Sequence, residues 1–256
     1  MDIRQVKQRG QRVRTRSLVT LLIAYSLVLL AIPPPALAVT TCAFAGSTAT
    51  VSMSAAGDTG SISVGTGVNA GRIMLAAAAC GAATTANTDT IVVTGNTGAE
   101  VVTFDLSGRA FAPGLTPEAG TSEIEITVDL GTGVLDRIII TGGPSNEAIT
   151  FGTLGIALNT DTDVDVTLTG VELGTVNGSA GTDAVSGAGD ATTGAASALQ
   201  LTLNGDSGVD SLTGGDGDDT IAGGTGNSTL AGGAGDDTLT GGADDDTLTG
   251  GPGGDT

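Results

Sequence analysis

From Gly205 onward the chain repeats every nine residues, and this period restricts its folding more than any other feature. The units are GDSGVDSLT from Gly205, GGDGDDTIA from Gly214, GGTGNSTLA from Gly223, GGAGDDTLT from Gly232, GGADDDTLT from Gly241 and the shorter GGPGGDT from Gly250. The shared pattern is G-G-x-G-x-D-x-U-x, with U aliphatic. Its sixth place holds Asp210, Asp219, Ser228, Asp237, Asp246 and Asp255; its eighth holds Leu212, Ile221, Leu230, Leu239 and Leu248. A disordered Gly/Asp linker has no reason to space aliphatic residues so strictly. A stacked repeat does, because each unit buries its apolar side only against its neighbours.

Glycine at the first, second and fourth places permits positive φ and close backbone approach, so carbonyl oxygens can converge. A carboxylate at the sixth place completes an all-oxygen set suited to the hard Ca²⁺ ion. The pattern closely resembles the RTX-type (hemolysin-type) calcium-binding nonapeptide repeat of exported bacterial proteins, over residues 205–256. The resemblance implies that each unit is a calcium-binding turn followed by a short strand. Two units then form one coil of a right-handed parallel β-roll. It also implies that Asp210, Asp219, Asp237, Asp246 and Asp255 serve as metal ligands, in turns shaped by Gly214, Gly217, Gly232, Gly235 and Gly250. With two units per coil the sixth places fall into two files, Asp219–Asp237–Asp255 and Asp210–Ser228–Asp246. The first has a carboxylate at every level and is expected to hold the better sites. The second loses a charge at Ser228, and Asp206 and Asp244 stand in it where the pattern has glycine. Because the hydrophobic ladder is thin, metal ligation and folding are expected to be coupled.

The opposite end of the chain has a different character. Arg4, Lys7, Arg9, Arg12, Arg14 and Arg16 precede the apolar run Leu18–Ile32, then Pro33-Pro34-Pro35 and Ala36-Leu37-Ala38. This order reads as a signal peptide over residues 1–38, cleaved after Ala38; membrane contact is expected only if that segment is retained. Its removal leaves Arg72, Arg109 and Arg137 against 27 acids. Such a charge disfavours nucleic acid and favours cations. The same residues contain no His, which excludes His-based acid/base or nucleophilic catalysis and His-containing zinc sites. Cys42 and Cys80 form an even pair in an exported chain, which favours one disulfide over two separate core thiols.

Between these ends, all-β signals predominate. Residues 39–86 read as a small Cys-containing region of thin strands, with GRIMLAAAACG taken as strand or buried connection. Residues 87–204 carry irregular strand signals such as DTIVVTG, EVVTFDLSG and DRIIITGG. A sandwich and a β-helix both fit, and the β-helix is favoured by three degenerate repeats: GNTGAEVVT from Gly95, GGPSNEAIT from Gly142 and GSAGTDAVS from Gly178. Gly189–Leu199 reads as a loop or linker. DTDVDVTLTGVE, from Asp161 to Glu172, imitates an EF-hand loop but has Val166 where the turn needs glycine. Strand alternation instead predicts Asp161, Asp163 and Asp165 on the outer face of a strand.

No catalytic constellation is visible. The expected function is that of an exported calcium-binding protein with a structural or adhesive role at the cell surface or in a matrix. The alternative is the N-terminal part, or a calcium-dependent module, of a larger secreted hydrolase or toxin. The array stops at Asp255-Thr256 without an eighth-place aliphatic residue, which reads as a fragment of a longer array.

Overall fold

The computed structural model describes residues 40–108, 111, 123–161 and 163–256. The expected signal peptide, residues 1–38, lies outside the described residues, as does Arg109. Among the described residues no helix is long and apolar enough to cross a membrane.

Strand alternation organises the chain into two facing sheets, all-β as expected. Along Val101–Asp105 and Arg137–Thr141, inward residues Val102, Phe104, Ile138 and Ile140 are fully buried, and the residues between them are half-buried. One sheet is a parallel ladder built from Thr59–Val64, Val101–Asp105, Arg137–Thr141, Leu173–Asn177, Gln200–Asn204, Thr220–Thr225 and Thr238–Ala243. The register shows how much chain each coil uses. Val101 pairs with Arg137 and Arg137 with Leu173, steps of 36; Leu173 pairs with Gln200, a step of 27; Thr202 pairs with Thr220 and Thr220 with Thr238, steps of 18. All five steps are multiples of nine. Only the first, Thr59 to Val101, departs from this at 42.

The facing sheet keeps the same steps beyond residue 148: Ala148 pairs with Ala184, Ala184 with Ser211, Ser211 with Thr229 and Thr229 with Thr247. Earlier in this sheet a meander intervenes. Gly155–Ala157 pairs antiparallel with Ala148–Gly152 on one side and with Val166–Thr169 on the other, so one coil contributes three strands here and one strand opposite. The segment 189–199 forms no strand, as its composition predicts, but it is bound into the roll. Thr153 N–H donates to Ala195 O at 3.0 Å, and Leu154 N–H to Thr193 O at 2.8 Å.

Hairpins close the N-terminal end. Thr40–Ala45 pairs antiparallel with Thr48–Met53 in one sheet, and Arg72–Leu75 and Ala78–Thr84 extend the other. Cys42 and Cys80 sit on these outermost strands and are bonded to each other, with Cα atoms 5.2 Å apart. The disulfide therefore ties the two sheets together at one end. The core thins toward the other. Phe104, Phe151 and several isoleucines fill it early, whereas the array contributes Leu212, Ile221 and Leu230, each 0–1% exposed. Leu239 is only partly buried and Leu248 is 45% exposed.

Candidate metal-binding edges

Each of the five full array turns ends on its sixth-place residue, just before a strand, and the sixth-place residues from Asp219 onward reach back one coil. Leu201 N–H donates to Asp219 Oδ1 at 2.7 Å, Asp219 N–H to Asp237 Oδ1 at 2.8 Å and Asp237 N–H to Asp255 Oδ1 at 3.2 Å. On the opposite edge Asp210 N–H donates to Ser228 Oγ at 3.2 Å and Ser228 N–H to Asp246 Oδ1 at 2.8 Å. The sixth places thus stack 18 residues apart in two files, as two units per coil require. Ser228 fills the place of a carboxylate and keeps the hydrogen bond, without the charge.

The second carboxylate oxygen distinguishes the levels. Asp219 Oδ2 accepts Gly215 N–H at 2.7 Å, whereas Asp210 Oδ2 and Asp237 Oδ2 are buried with no hydrogen-bond partner. Asp210, Asp219 and Asp237 are 0–2% exposed; Asp246 and Asp255 are half-buried. Burial pushes the Asp219 carboxyl up to about 6, with the Leu201 and Gly215 N–H groups pulling the other way. Asp210 is raised for the same reason.

The glycines serve the two expected purposes, positive φ and close approach, but divide them between places. Gly233 (φ 109°) and Gly235 (φ 123°), at the second and fourth places, use the left-handed conformation. The first-place glycines Gly214, Gly232 and Gly250 do not; they are required for space. A Cβ on Gly232 would strike Asp237 Oδ2 and lie 2.5 Å from Gly250 O. One on Gly214 would strike Asp219 Oδ2 and Gly232 O, and one on Gly250 would strike Asp255 Oδ2. Gly217 also lacks a positive φ, and the Leu199 carbonyl leaves no room beside it. Asp206 (φ 64°) and Asp244 (φ 76°) hold the left-handed geometry despite their side chains. Aspartate is among the residues that tolerate it, so both turns keep their shape.

The files extend beyond the array. Glu147 N–H donates to Asp183 Oδ1 at 2.8 Å and Asp183 N–H to Asp210 Oδ1 at 2.9 Å, across steps of 36 and 27 residues. On the other edge Glu100 N–H donates to Asp136 Oδ1 at 2.7 Å, and Asp136 N–H to Glu172 Oε2 at 2.9 Å. The acids of all three degenerate repeats, Glu100, Glu147 and Asp183, therefore stand in the files. Sequence reasoning noted those repeats without nominating their acids, and it missed Asp136 altogether. The available signal was spacing, since Glu100, Asp136 and Glu172 recur every 36 residues.

One sequence expectation fails. Asp161, Asp163 and Asp165 do not line a strand face, because the strand begins only at Val166. They lie in the meander loop, with Asp165 1% exposed, and converge with Glu123 so that one oxygen from each falls within 4.8 Å of the others. Asn159 Nδ2 donates to Glu123 Oε1 at 2.8 Å. Burial and the adjacent Asp165 push the Glu123 carboxyl up to about 9. The oxygen set fits a metal cation, and neither the EF-hand spacing nor strand alternation predicted the part taken by Glu123.

The turn edges of this parallel β-roll carry files of carboxylates whose oxygens suit a hard metal cation. A family model described as the RTX calcium-binding nonapeptide repeat (four copies) matches residues 202–230 and 223–256. Residues 202–256 are therefore RTX calcium-binding repeats by their sequence, and their stacked turns have the geometry such repeats require. No curated protein and no solved structure matches the chain.

Proposed function

We propose that this is an exported, structural or adhesive protein of the extracellular space or cell surface, in which Ca²⁺ binding is coupled to completion of the roll. The reading divides the chain into a signal peptide (1–38), a disulfide-bonded N-terminal β region (39–86), a β-rich region of long coils (87–204) and the calcium array (205–256). The observation that carries it is the Asp237 level. There a fully buried carboxylate has an oxygen without a donor, between stacked turns that match the RTX repeat. An unpaired buried charge is costly, and a cation bound between the coils compensates it. Asp219, Asp237 and Asp255 supply the stronger file; Asp210 and Asp246 flank the neutral Ser228 in the weaker one. Gly214, Gly217, Gly232, Gly235 and Gly250 leave the room these turns need.

The disulfide supports export, since such bonds persist in oxidising compartments. A cell-surface or matrix partner is part of the same reading. The test is a calcium titration of the metal-stripped chain followed by circular dichroism. A gain of β signal at up to millimolar Ca²⁺, reversed by chelation, is expected. An unchanged spectrum together with no bound calcium would reject the reading.

A further inference from the structure

Three acids near the N-terminal end of the roll are buried more completely than most of those in the array. Asp58, Glu100 and Asp136 are each 0% exposed. They immediately precede the consecutive strands Thr59–Val64, Val101–Asp105 and Arg137–Thr141, whose register sets them one above another. The backbone confirms the stacking: Val101 N–H donates to Asp58 O at 3.0 Å and Arg137 N–H to Glu100 O at 2.9 Å.

Their oxygens are poorly provided for. Asp58 Oδ2 accepts Ala55 N–H at 2.8 Å and Asp136 Oδ1 accepts Glu100 N–H at 2.7 Å. Asp58 Oδ1, both oxygens of Glu100 and Asp136 Oδ2 are buried without a hydrogen-bond partner. The Glu100 carboxyl lies beside that of Asp136, with the backbone N–H groups of Asn96 and Gly57 near it. The described residues hold only two basic side chains, Arg72 and Arg137, and the Arg72 guanidinium donates to Gly81 O. Four orphaned acceptors thus occur at three adjacent levels. Apolar replacements would stabilise such a place unless something positive occupied it.

We propose that Asp58, Glu100 and Asp136 form a second cation-binding stack, outside the nonapeptide array, that takes a hard divalent metal such as Ca²⁺ between the Glu100 and Asp136 levels. All-carboxylate oxygen donors select a hard ion. The stack lies on the same edge of the roll as Asp219, Asp237 and Asp255. It is separated from them by two levels, the exposed Glu172 and then Leu199, which has no side-chain oxygen to offer. It fixes the long coils as the array sites fix the short ones, and it does not depend on the array binding metal.

The test counts calcium bound per full-length chain, by equilibrium dialysis with elemental analysis, in the wild type and in Glu100→Gln, Asp136→Asn and Asp237→Asn. Glu100→Gln and Asp136→Asn should each lose one ion and lower the melting temperature measured in calcium, while the ions lost in Asp237→Asn are still bound. Retention of the full count in both upstream variants, with melting unchanged or raised, would overturn the proposal and leave a shared proton as the occupant. If an upstream variant fails to fold, wild-type crystals soaked in a lanthanide decide the matter. An anomalous peak between Glu100 and Asp136 supports the stack; peaks confined to residues 205–256 refute it. Loss of no ion in Asp237→Asn would count against the array reading alone, so the two failures are distinguishable.

Discussion

At Asp237 three roles meet in one side chain: Oδ1 accepts the N–H of Asp219, Oδ2 has no donor, and the whole residue is buried. Asp237→Ala should weaken the calcium response by about 10- to 100-fold, the scale for disturbing a metal site. Ser228→Ala removes a neutral hydrogen bond and should cost less than about fivefold. Calcium titration of the two variants compares them, and equal effects would reject the two-file arrangement. Gly232→Ala should be more damaging than its size implies, because the new methyl meets Asp237 Oδ2 and Gly250 O. A loss of more than about 2 kcal/mol is expected in denaturant unfolding. Proton binding gives a further check. Burial raises Asp219 from 3.8 to about 6 in the folded, metal-free chain, so the folded state holds its proton more tightly than the unfolded one. The resulting stability is fully present below about pH 4 and is lost as pH rises through 6. Metal-stripped protein should therefore melt higher at pH 4.5 than at pH 7.5. Calcium should reverse that order by competing with the proton.

Single strands contribute little in the array, so each inward aliphatic carries much of its coil. Leu230 is fully buried between Leu212 and Leu248 in the register of its sheet. Leu230→Ala should cost about 3 kcal/mol, read from denaturant midpoints. At the other end the Cys42–Cys80 bond closes a loop of 38 residues between the two sheets. Its reduction should cost about 4 kcal/mol in the chain-entropy model, measured by unfolding with and without reductant. The short strands of the array were legible because glycine, aspartate and leucine mark place, turn and core in each unit. The long coils were less so. Glu147 and Asp183 are 36 residues apart, and the intervening chain includes a meander that no local pattern announces. Alternation in DTDVDV looked like a strand, yet Asp165 is bound to the loop by Leu158 N–H and Asn159 Nδ2. A side chain in that constellation, Glu123, comes from 36 residues before Asn159. Neighbours so distant are set by the stacking of coils, which sequence shows only where the period is constant.

Over the whole molecule, coils shorten from 42 residues to 36, 27 and 18 while carboxylates recur along both edges, without a break from Glu147 to Asp210 on one and with a gap at Leu199 on the other. The shift from long to short coils is also a shift in what supports the fold. The early coils rest on Phe104, Phe151 and stacked isoleucines; the late ones rest on single aliphatics and on carboxylates that need a counter-charge. Calcium should therefore act unevenly, ordering residues 205–256 most and the disulfide-bonded end least. Hydrogen exchange followed by mass spectrometry on the full chain, with and without calcium, tests this most directly. The account predicts strong added protection in Gly205–Thr256 at millimolar Ca²⁺, with little change in Thr40–Thr84. Equal protection of the array in the two conditions would contradict it.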